Sequence, residues 1–185
     1  MSSVTNVQIR SPRSKAHSGS GRAQRSTAQP VWGDVLGKFV AATLRAQPTH
    51  LYLVSPWIAE TDHARIDLLT RHAAACQAEI VLITRSVTTK AAERAMDMVR
   101  RAPRSRIIFN EALHAKLYVC QEANGRGVAL VGSANLTPGG TRLDEVGVLL
   151  RPLIDSSIID DLARVAATTL CGSARRATTK TRRTA

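Results

Sequence analysis

The apolar residues of this chain recur with two different periods, and segments of the two kinds alternate along it. Four segments place apolar residues three or four positions apart, which is typical of helices with one buried face; they are residues 32–46, 61–75, 88–101 and 156–170. Six shorter apolar runs, several of them bounded by turn-forming residues, predict strands; they are residues 50–55, 79–84, 106–109, 113–119, 128–131 and 145–150. The pair Asn124-Gly125 predicts a hairpin turn between the fourth and fifth strands.

The order of these elements predicts the fold class. From residue 50 the chain runs strand, helix, strand, helix, strand, and then continues as a meander of strands before a final helix. A helix between two strands lies on a face of the sheet, whereas a short connection joins antiparallel neighbours. We therefore expect an α/β fold with a mixed β-sheet sandwiched between helices. The sequence contains no internal repeat.

Charge divides the chain into three parts. The 185 residues include 26 Lys and Arg and 14 Asp and Glu, for a formal net charge of +12. Residues 1–30 and residues 172–185 each contain five basic residues and no acidic one. Both segments are also poor in large apolar residues, which is typical of disorder. We expect a disordered basic N-terminal arm (1–30), a near-neutral folded domain (31–171) and a disordered basic C-terminal tail (172–185).

The basic arms indicate an anionic partner. Flexible Lys and Arg side chains neutralise phosphates and release counterions, so nucleic acid is one expected partner. An acidic surface on another protein is a second, and a tail that only aids solubility is the plainest alternative. The arm also has the composition of a transit peptide, but it lacks a convincing amphipathic stripe.

The cysteines and the hydropathy exclude several classes of protein. Cys76, Cys120 and Cys171 are far apart and do not show the spacing of a zinc site or of a disulfide framework. The chain has no run of about 18 apolar residues, so we expect no membrane insertion. These features favour a soluble, cytoplasmic protein.

The candidate chemistry lies between residues 113 and 145. His114 and Lys116 are two positions apart in a predicted strand, so they should share one face, while Leu113, Ala115, Leu117 and Val119 pack on the other. Ser133 and Asn135 stand in the same relation after the next strand. If the two strands pair, an imidazole, an ammonium, a hydroxyl and a carboxamide meet over one patch of sheet. That set of groups suits a tetrahedral phosphate.

Two further features extend this candidate site. An imidazole, with a reference pKa of about 6.5, can attack phosphorus or transfer a proton near neutral pH. Thr137 followed by Pro138 predicts a helix start, whose backbone N–H groups would face an anion. Glu145 could accept the second N–H of the imidazole and so orient the ring. A lone histidine on a strand is more often structural, so the hypothesis depends on the whole set.

The ordered set His114-x-Lys116, Gly132-Ser133-x-Asn135 and Glu145 resembles the HKD motif of the phospholipase D superfamily, and most of all its branch of small nucleases. The resemblance implies a phospholipase D-like fold and a phosphodiesterase that needs no metal or other cofactor. It implies a covalent phosphohistidine intermediate, with His114 as nucleophile or general acid and Glu145 as the orienting partner of His114. Lys116, Ser133 and Asn135 would then be substrate ligands. The chain departs from the motif at Gln121, where the family usually has an aspartate of structural importance.

The motif occurs once, and single-copy members of this superfamily build one site across a two-fold dimer. The leading hypothesis is therefore a homodimeric nuclease acting on DNA or RNA. The alternatives are a phospholipase D that acts on lipid headgroups, a nucleic-acid-binding subunit without activity, and a nuclease subunit of a larger assembly docked through the arms. The sequence leaves open the choice between DNA and RNA, strandedness and sequence preference.

Three other residues follow the ends of the first two strands, where ligands gather in α/β sheets. They are Ser55, Trp57 and Arg85. Arg85 could contact a phosphate, and Trp57 could stack on a base. The alternatives of a surface arginine and a tryptophan at the edge of the core are at least as well supported by sequence alone.

Overall fold

The computed structural model describes residues 28–59, 63–86, 89–137, 145–151 and 157–171, and seven strands in these ranges form one mixed sheet. The strands are β1 (Ala28–Trp32), β2 (Pro48–Val54), β3 (Glu79–Thr84), β4 (Ser105–Phe109), β5 (Leu117–Glu122), β6 (Gly127–Gly132) and β7 (Val146–Leu150). The helices are α1 (Val35–Thr43), α2 (His63–Ala75), α3 (Lys90–Arg100) and α4 (Ile158–Arg164). A π-helical segment, Val165–Leu170, continues α4.

The sheet has a parallel half and an antiparallel half. Its strand order is β1-β7-β6-β5-β2-β3-β4. Strands β2, β3 and β4 are parallel, with α2 and α3 as their crossovers. Strands β5, β6 and β7 form an antiparallel meander, which joins the parallel half where β5 pairs with β2. The predicted α/β fold with a mixed sheet between helices is confirmed.

Two apolar cores hold the helices on opposite faces of the sheet. Leu51 and Leu53 of β2 belong to the core under α1, α2 and α3, and Tyr52 and Val54 belong to the core under α4. All four side chains are buried. Full burial of such a side chain contributes about 1.5–3 kcal/mol, so the central strands stabilise both layers. This explains why β2 reads as a continuous apolar run rather than an alternating one.

The N-terminal strand is the main difference from the predicted elements. Residues 28–30, which the sequence assigns to the disordered arm, form part of β1, and β1 pairs with β7 at the edge of the sheet. Its pattern was too weak to predict a strand, since Pro30 cannot donate to a ladder and is tolerated only at an edge. Helix α1 consequently starts later, at Val35, where the Asp34 carboxylate accepts the Gly37 N–H at 2.9 Å. Residues 1–27 and 172–185 lie outside the described residues.

The position at which the sequence departs from the HKD pattern has a defined structural role. The Gln121 side-chain amide, on β5, donates to the Asp160 carboxylate of α4 at 2.7 Å. The same carboxylate lies against Gly125 in the β5–β6 turn, where a Cβ would be 3.0 Å from one of its oxygens. Gln121 therefore ties α4 to the hairpin that leads to the candidate site. An acidic residue at position 121 would face a second carboxylate instead.

We expect the isosteric substitution Gln121→Glu to lower the free energy of unfolding by about 1–3 kcal/mol, because it replaces a charge-assisted hydrogen bond by two facing carboxylates. Adding Asp160→Asn should recover most of the loss. Urea unfolding at neutral pH measures both changes. Asp97→Asn, which removes only an exposed ion pair with Arg100, is the matched control and should change stability by less than about 0.5 kcal/mol. Equal stability of Gln121→Glu and wild type would contradict the assignment.

Candidate active site

The antiparallel pairing of β5 with β6 brings the two halves of the predicted site together. Leu117, the first residue of β5, lies opposite Val131 near the end of β6. The Gly132 N–H donates to the Lys116 carbonyl at 3.4 Å, beyond the last pair of the ladder. The segment before β5 therefore lies beside the loop after β6. The strand pairing on which the predicted site depends is confirmed.

His114 and Lys116 do not lie on a strand, in contrast to the prediction. They belong to an irregular segment, and β5 begins only at Leu117. The reason is the length of the neighbours: β6 ends at Gly132 and β2 at Val54, so earlier residues have no strand to pair with. Ala115 is exposed, so its predicted packing is wrong. The other three apolar residues of the segment are buried as predicted; they are Leu113, Leu117 and Val119.

His114 and Lys116 line one open depression of about 450 Å³. The imidazole of His114 is exposed, and the Lys116 ammonium donates to the His114 carbonyl at 3.3 Å. Gly132, next to Ser133, forms the opposite rim. The rest of the lining includes four apolar residues from β5, β6 and the α4 layer, namely Leu117, Val131, Leu162 and Val165. An imidazole and an ammonium group thus share a depression with apolar walls.

Ser133 and Glu145 meet at the start of β7. The Ser133 hydroxyl donates to the Glu145 carboxylate and accepts the Val146 N–H at 3.1 Å, while the Ser133 N–H donates to the Val146 carbonyl at 3.0 Å. In this chain Glu145 is thus paired with Ser133. No hydrogen bond joins the described side chains of Glu145 and His114, so the orienting role of Glu145 stays a prediction. The predicted helix after Thr137 lies outside the described residues.

The loop that presents Asn135 is held by buried hydrogen bonds to a residue of β5 and to the residue after β2. The Tyr118 hydroxyl donates to the Ala134 carbonyl at 2.8 Å, and the Leu136 N–H donates to the Ser55 hydroxyl at 2.9 Å. Both contacts are buried, so losing either partner would leave an unsatisfied polar group. Ser55 is fully buried. It acts as a support of this loop rather than as a group open to a ligand.

Asn135 has an unsatisfied atom. Its side-chain carbonyl oxygen is buried and has no hydrogen-bond partner among the described residues. Buried polar atoms are nearly always paired, and exceptions often lie at functional sites. This oxygen is an acceptor, so it cannot itself bind a phosphate oxygen, which only the side-chain amide N–H groups could do. The phosphate-binding role of Asn135 stays a prediction.

Arg85 and Trp57 lie against the same site. The Arg85 Nε–H donates to the Leu113 carbonyl at 2.7 Å, one residue before His114. The guanidinium carbon is 5.5 Å from the centroid of the Trp57 ring, and Trp57 is 50% exposed. The only signal for these two residues in the sequence was their position after strand ends, and no motif identified them.

Glu111 is the acidic group closest in sequence to this arginine contact. Its carboxylate accepts the Ser86 N–H at 3.0 Å. Hydrogen bonds from the side chain and backbone of Ser86 lower the pKa of Glu111, and the positive charge of Arg85 lowers it further. Glu111 is therefore ionised at neutral pH and partly offsets the charge of Arg85.

The described ranges contain neither a cluster of metal ligands nor a helix that could span a membrane. No group of three or more His, Cys, Asp or Glu side chains in these ranges has the arrangement of a metal site. Among the helices of these ranges, none is both long and apolar enough to cross a membrane.

Comparison with known proteins gives structural matches only. No family model matches the chain, and no curated protein matches it by sequence. Its fold is similar to that of Nuc from Salmonella typhimurium, a phospholipase D family member, with a TM-score of 0.61 and 13% identity over 76% of this chain and 91% of that one. NucT from Helicobacter pylori gives a TM-score of 0.56 and 11% identity over 79% and 97% of the two chains.

The same architecture occurs inside a much larger enzyme. Polyphosphate kinase from Porphyromonas gingivalis matches with a TM-score of 0.54 and 15% identity, over 76% of this chain but only 26% of that one. The two small proteins are instead covered almost completely, so the likeness extends over their whole fold. The chain described here therefore has the fold of the phospholipase D superfamily.

Proposed function

We propose that this protein is a metal-independent phosphodiesterase that hydrolyses nucleic acid, DNA or RNA, at a site shared by two copies of the chain. The proposal rests on one observation above all: the β5–β6 pairing puts His114 and Lys116 in one depression whose other rim leads into Ser133 and Asn135. The likeness to Nuc, a phospholipase D family member, supports phosphodiester chemistry. The ten basic residues of 1–30 and 172–185 support a polyanionic substrate, or a protein partner docked by these arms.

In the proposed first step the neutral imidazole of His114 attacks phosphorus. A P–N bond forms, the P–O bond to the leaving strand breaks, and the leaving oxygen takes a proton from a second imidazole. In the second step water attacks the phosphohistidine and gives its proton to that second imidazole, which releases a phosphate monoester and free His114. Lys116 and the Asn135 amide would stabilise the charge on the non-bridging oxygens.

The second imidazole requires a second chain, since one copy of the motif provides one His114. A closed two-fold contact brings a residue near the axis opposite its own copy. The sheet offers an apolar surface for such a contact. We call this surface the open face; it consists of cross-strand neighbours on β6, β7 and β1, namely Val131, Val148, Val146, Trp32 and Pro30.

The open face lies beside the candidate site and is exposed. Its four largest exposed side chains have exposures from 40% to 71%, and Val131 also lines the depression that contains His114. Contiguous apolar surface of this kind is uncommon on a monomer and typically marks an interface. A second copy bound there would cover apolar surface and bring its own His114 toward the depression, which supports the shared site.

The first functional prediction concerns metal and substrate. Wild-type protein in excess EDTA should cleave labelled DNA or RNA, and His114→Ala should not, because the nucleophile is an imidazole rather than a metal-bound water. A panel of single- and double-stranded DNA, RNA and a phospholipid identifies the substrate class. His50→Ala removes another part-exposed histidine outside the site and should retain activity. Complete loss in EDTA that returns with added Mg²⁺ or Mn²⁺ would contradict the proposal.

The second prediction tests whether two histidines act together. When wild type and His114→Ala are refolded together in equal amounts and pair at random, about one quarter of the dimers contain two histidines. Activity at equal total protein should then fall to about one quarter of the wild-type value. If each chain works alone, about half remains. The half-activity result would refute the shared site.

The third prediction concerns the open face. Val148→Glu places a charge in the proposed interface, so light scattering should give one chain of 19.9 kDa instead of twice that mass, and nuclease activity should fall with dimerisation. Leu68→Glu, at an exposed apolar position on α2 on the opposite side of the sheet, is the matched control and should leave mass and activity unchanged. A monomeric wild type, or an unchanged dimer in Val148→Glu, would show that the open face is not the interface.

A further inference from the structure

Trp57 is an exposed aromatic residue that its surroundings hold in place. The guanidinium of Arg85 lies 5.5 Å from the centroid of its ring. Half of the residue nevertheless remains exposed, which leaves ring surface for a second planar partner. The backbone carbonyl of Trp57 accepts the Ser55 hydroxyl at 2.7 Å. The ring is therefore part of an ordered turn at the end of β2.

Hydrogen bonds connect this turn to the loop that presents Asn135. The Ser55 hydroxyl that bonds Trp57 also accepts the Leu136 N–H, and the Ala59 N–H donates to the Leu136 carbonyl at 3.0 Å. Ile58 forms a parallel bridge with Leu136 as well. Ser55, which precedes Trp57, and Ile58, which follows it, therefore both contact Leu136 in the loop that presents Asn135.

Arg85 connects the same ring to the other half of the site. Its Nε–H is bonded to the Leu113 carbonyl, directly before His114. The terminal nitrogens of Arg85 have no hydrogen-bond partner among the described residues, so they can bind a phosphate oxygen while the planar group stays over the ring. An aromatic ring beside a guanidinium is the combination that binds unpaired bases and their backbone.

We propose that Trp57 and Arg85 form a stacking site for one unpaired nucleobase next to the cleaved phosphate, so that the substrate is single-stranded nucleic acid. The nature of the ligand rests on the proposed function. Trp57 stacks on the base, and Arg85 contacts the adjoining phosphate and holds the ring against the segment that contains His114. A base inside a duplex is stacked on both faces and cannot reach the ring. The site therefore selects strands whose bases are free.

The chain offers a direct optical test, because it contains two tryptophans, Trp32 and Trp57. The full-length variant Trp32→Phe, combined with His114→Ala to prevent cleavage, has fluorescence from Trp57 alone. It is titrated with three probes: a 12-nucleotide oligothymidylate, an oligonucleotide of the same length with abasic sugars, and a 12-base-pair duplex. We expect saturable quenching by the oligothymidylate, little quenching by the other two, and about tenfold weaker binding of the abasic strand.

Substitutions at Trp57 test the same point by affinity, followed by fluorescence anisotropy of a labelled strand. Trp57→Ala should weaken oligothymidylate binding about tenfold and abasic binding much less, while Trp57→Phe should retain most of the affinity because it keeps a ring. Leu68→Ala, at an exposed apolar position on α2, should bind like the parent protein. Circular dichroism checks that each variant is folded. The fluorescence titration with three probes is made on a protein that retains Trp57, so it does not depend on how the Trp57 variants fold.

Three results would overturn the stacking site: equal affinity for the abasic and thymidine strands, equal quenching by the duplex, or no binding of any oligonucleotide. Failure of the proposed hydrolysis can be distinguished from failure of the stacking site, because binding is measured in a variant that cannot cleave. Base-dependent quenching without phosphodiesterase activity in wild type would retain the stacking site and refute the enzyme. Cleavage of duplex and single strands at equal rates, without quenching, would retain the enzyme and refute the stacking site.

Discussion

The candidate site depends on the register of one antiparallel ladder, in which Leu117 of β5 lies opposite Val131 of β6. This register places the residues that follow β6 beside the residues that precede β5. A shift by one residue would turn every side chain of one strand to the other face. The two cores prevent such a shift, because Tyr118 belongs to one and Val119 to the other, and both are buried. The position of the chemistry is thus a consequence of packing on both faces of the sheet.

Rigid support surrounds a site that is itself irregular. His114, Lys116, Ser133 and Asn135 all lie outside the strands, yet the segments that contain them are bonded to strand residues or to the segments at strand ends. The Tyr118 hydroxyl holds the Asn135 loop from one core, and Ser55 holds it from the end of β2. Arg85 holds the segment before β5 through a backbone carbonyl. Loops positioned by a rigid scaffold in this way commonly carry binding and catalytic residues.

One chain presents only part of the proposed machinery. A single His114 lines the depression, Glu145 is bonded to Ser133 rather than to that imidazole, and the carboxamide oxygen of Asn135 lacks a partner among the described residues. Apolar surface on β6, β7 and β1 extends from the same place. The single imidazole and the apolar surface beside it fit the proposed site shared with a second chain. Gln121, where the chain departs from the motif, has a structural role, since its amide donates to the Asp160 carboxylate.

The sequence by itself determined the fold class, most of the strands and helices and the hairpin of β5 and β6. Each of these follows from local periodicity or from a turn signal between two strands. Only the tertiary structure decided three other points. Strand β1 forms because it can pair with the edge of β7, and the local sequence pattern of residues 28–32 does not predict this pairing. His114 and Lys116 precede β5 because the neighbouring strands end there. Arg85 joins the site through its bond to the Leu113 carbonyl, and Trp57 joins it through Arg85. These residues are distant in sequence, so such contacts form only once the chain has folded.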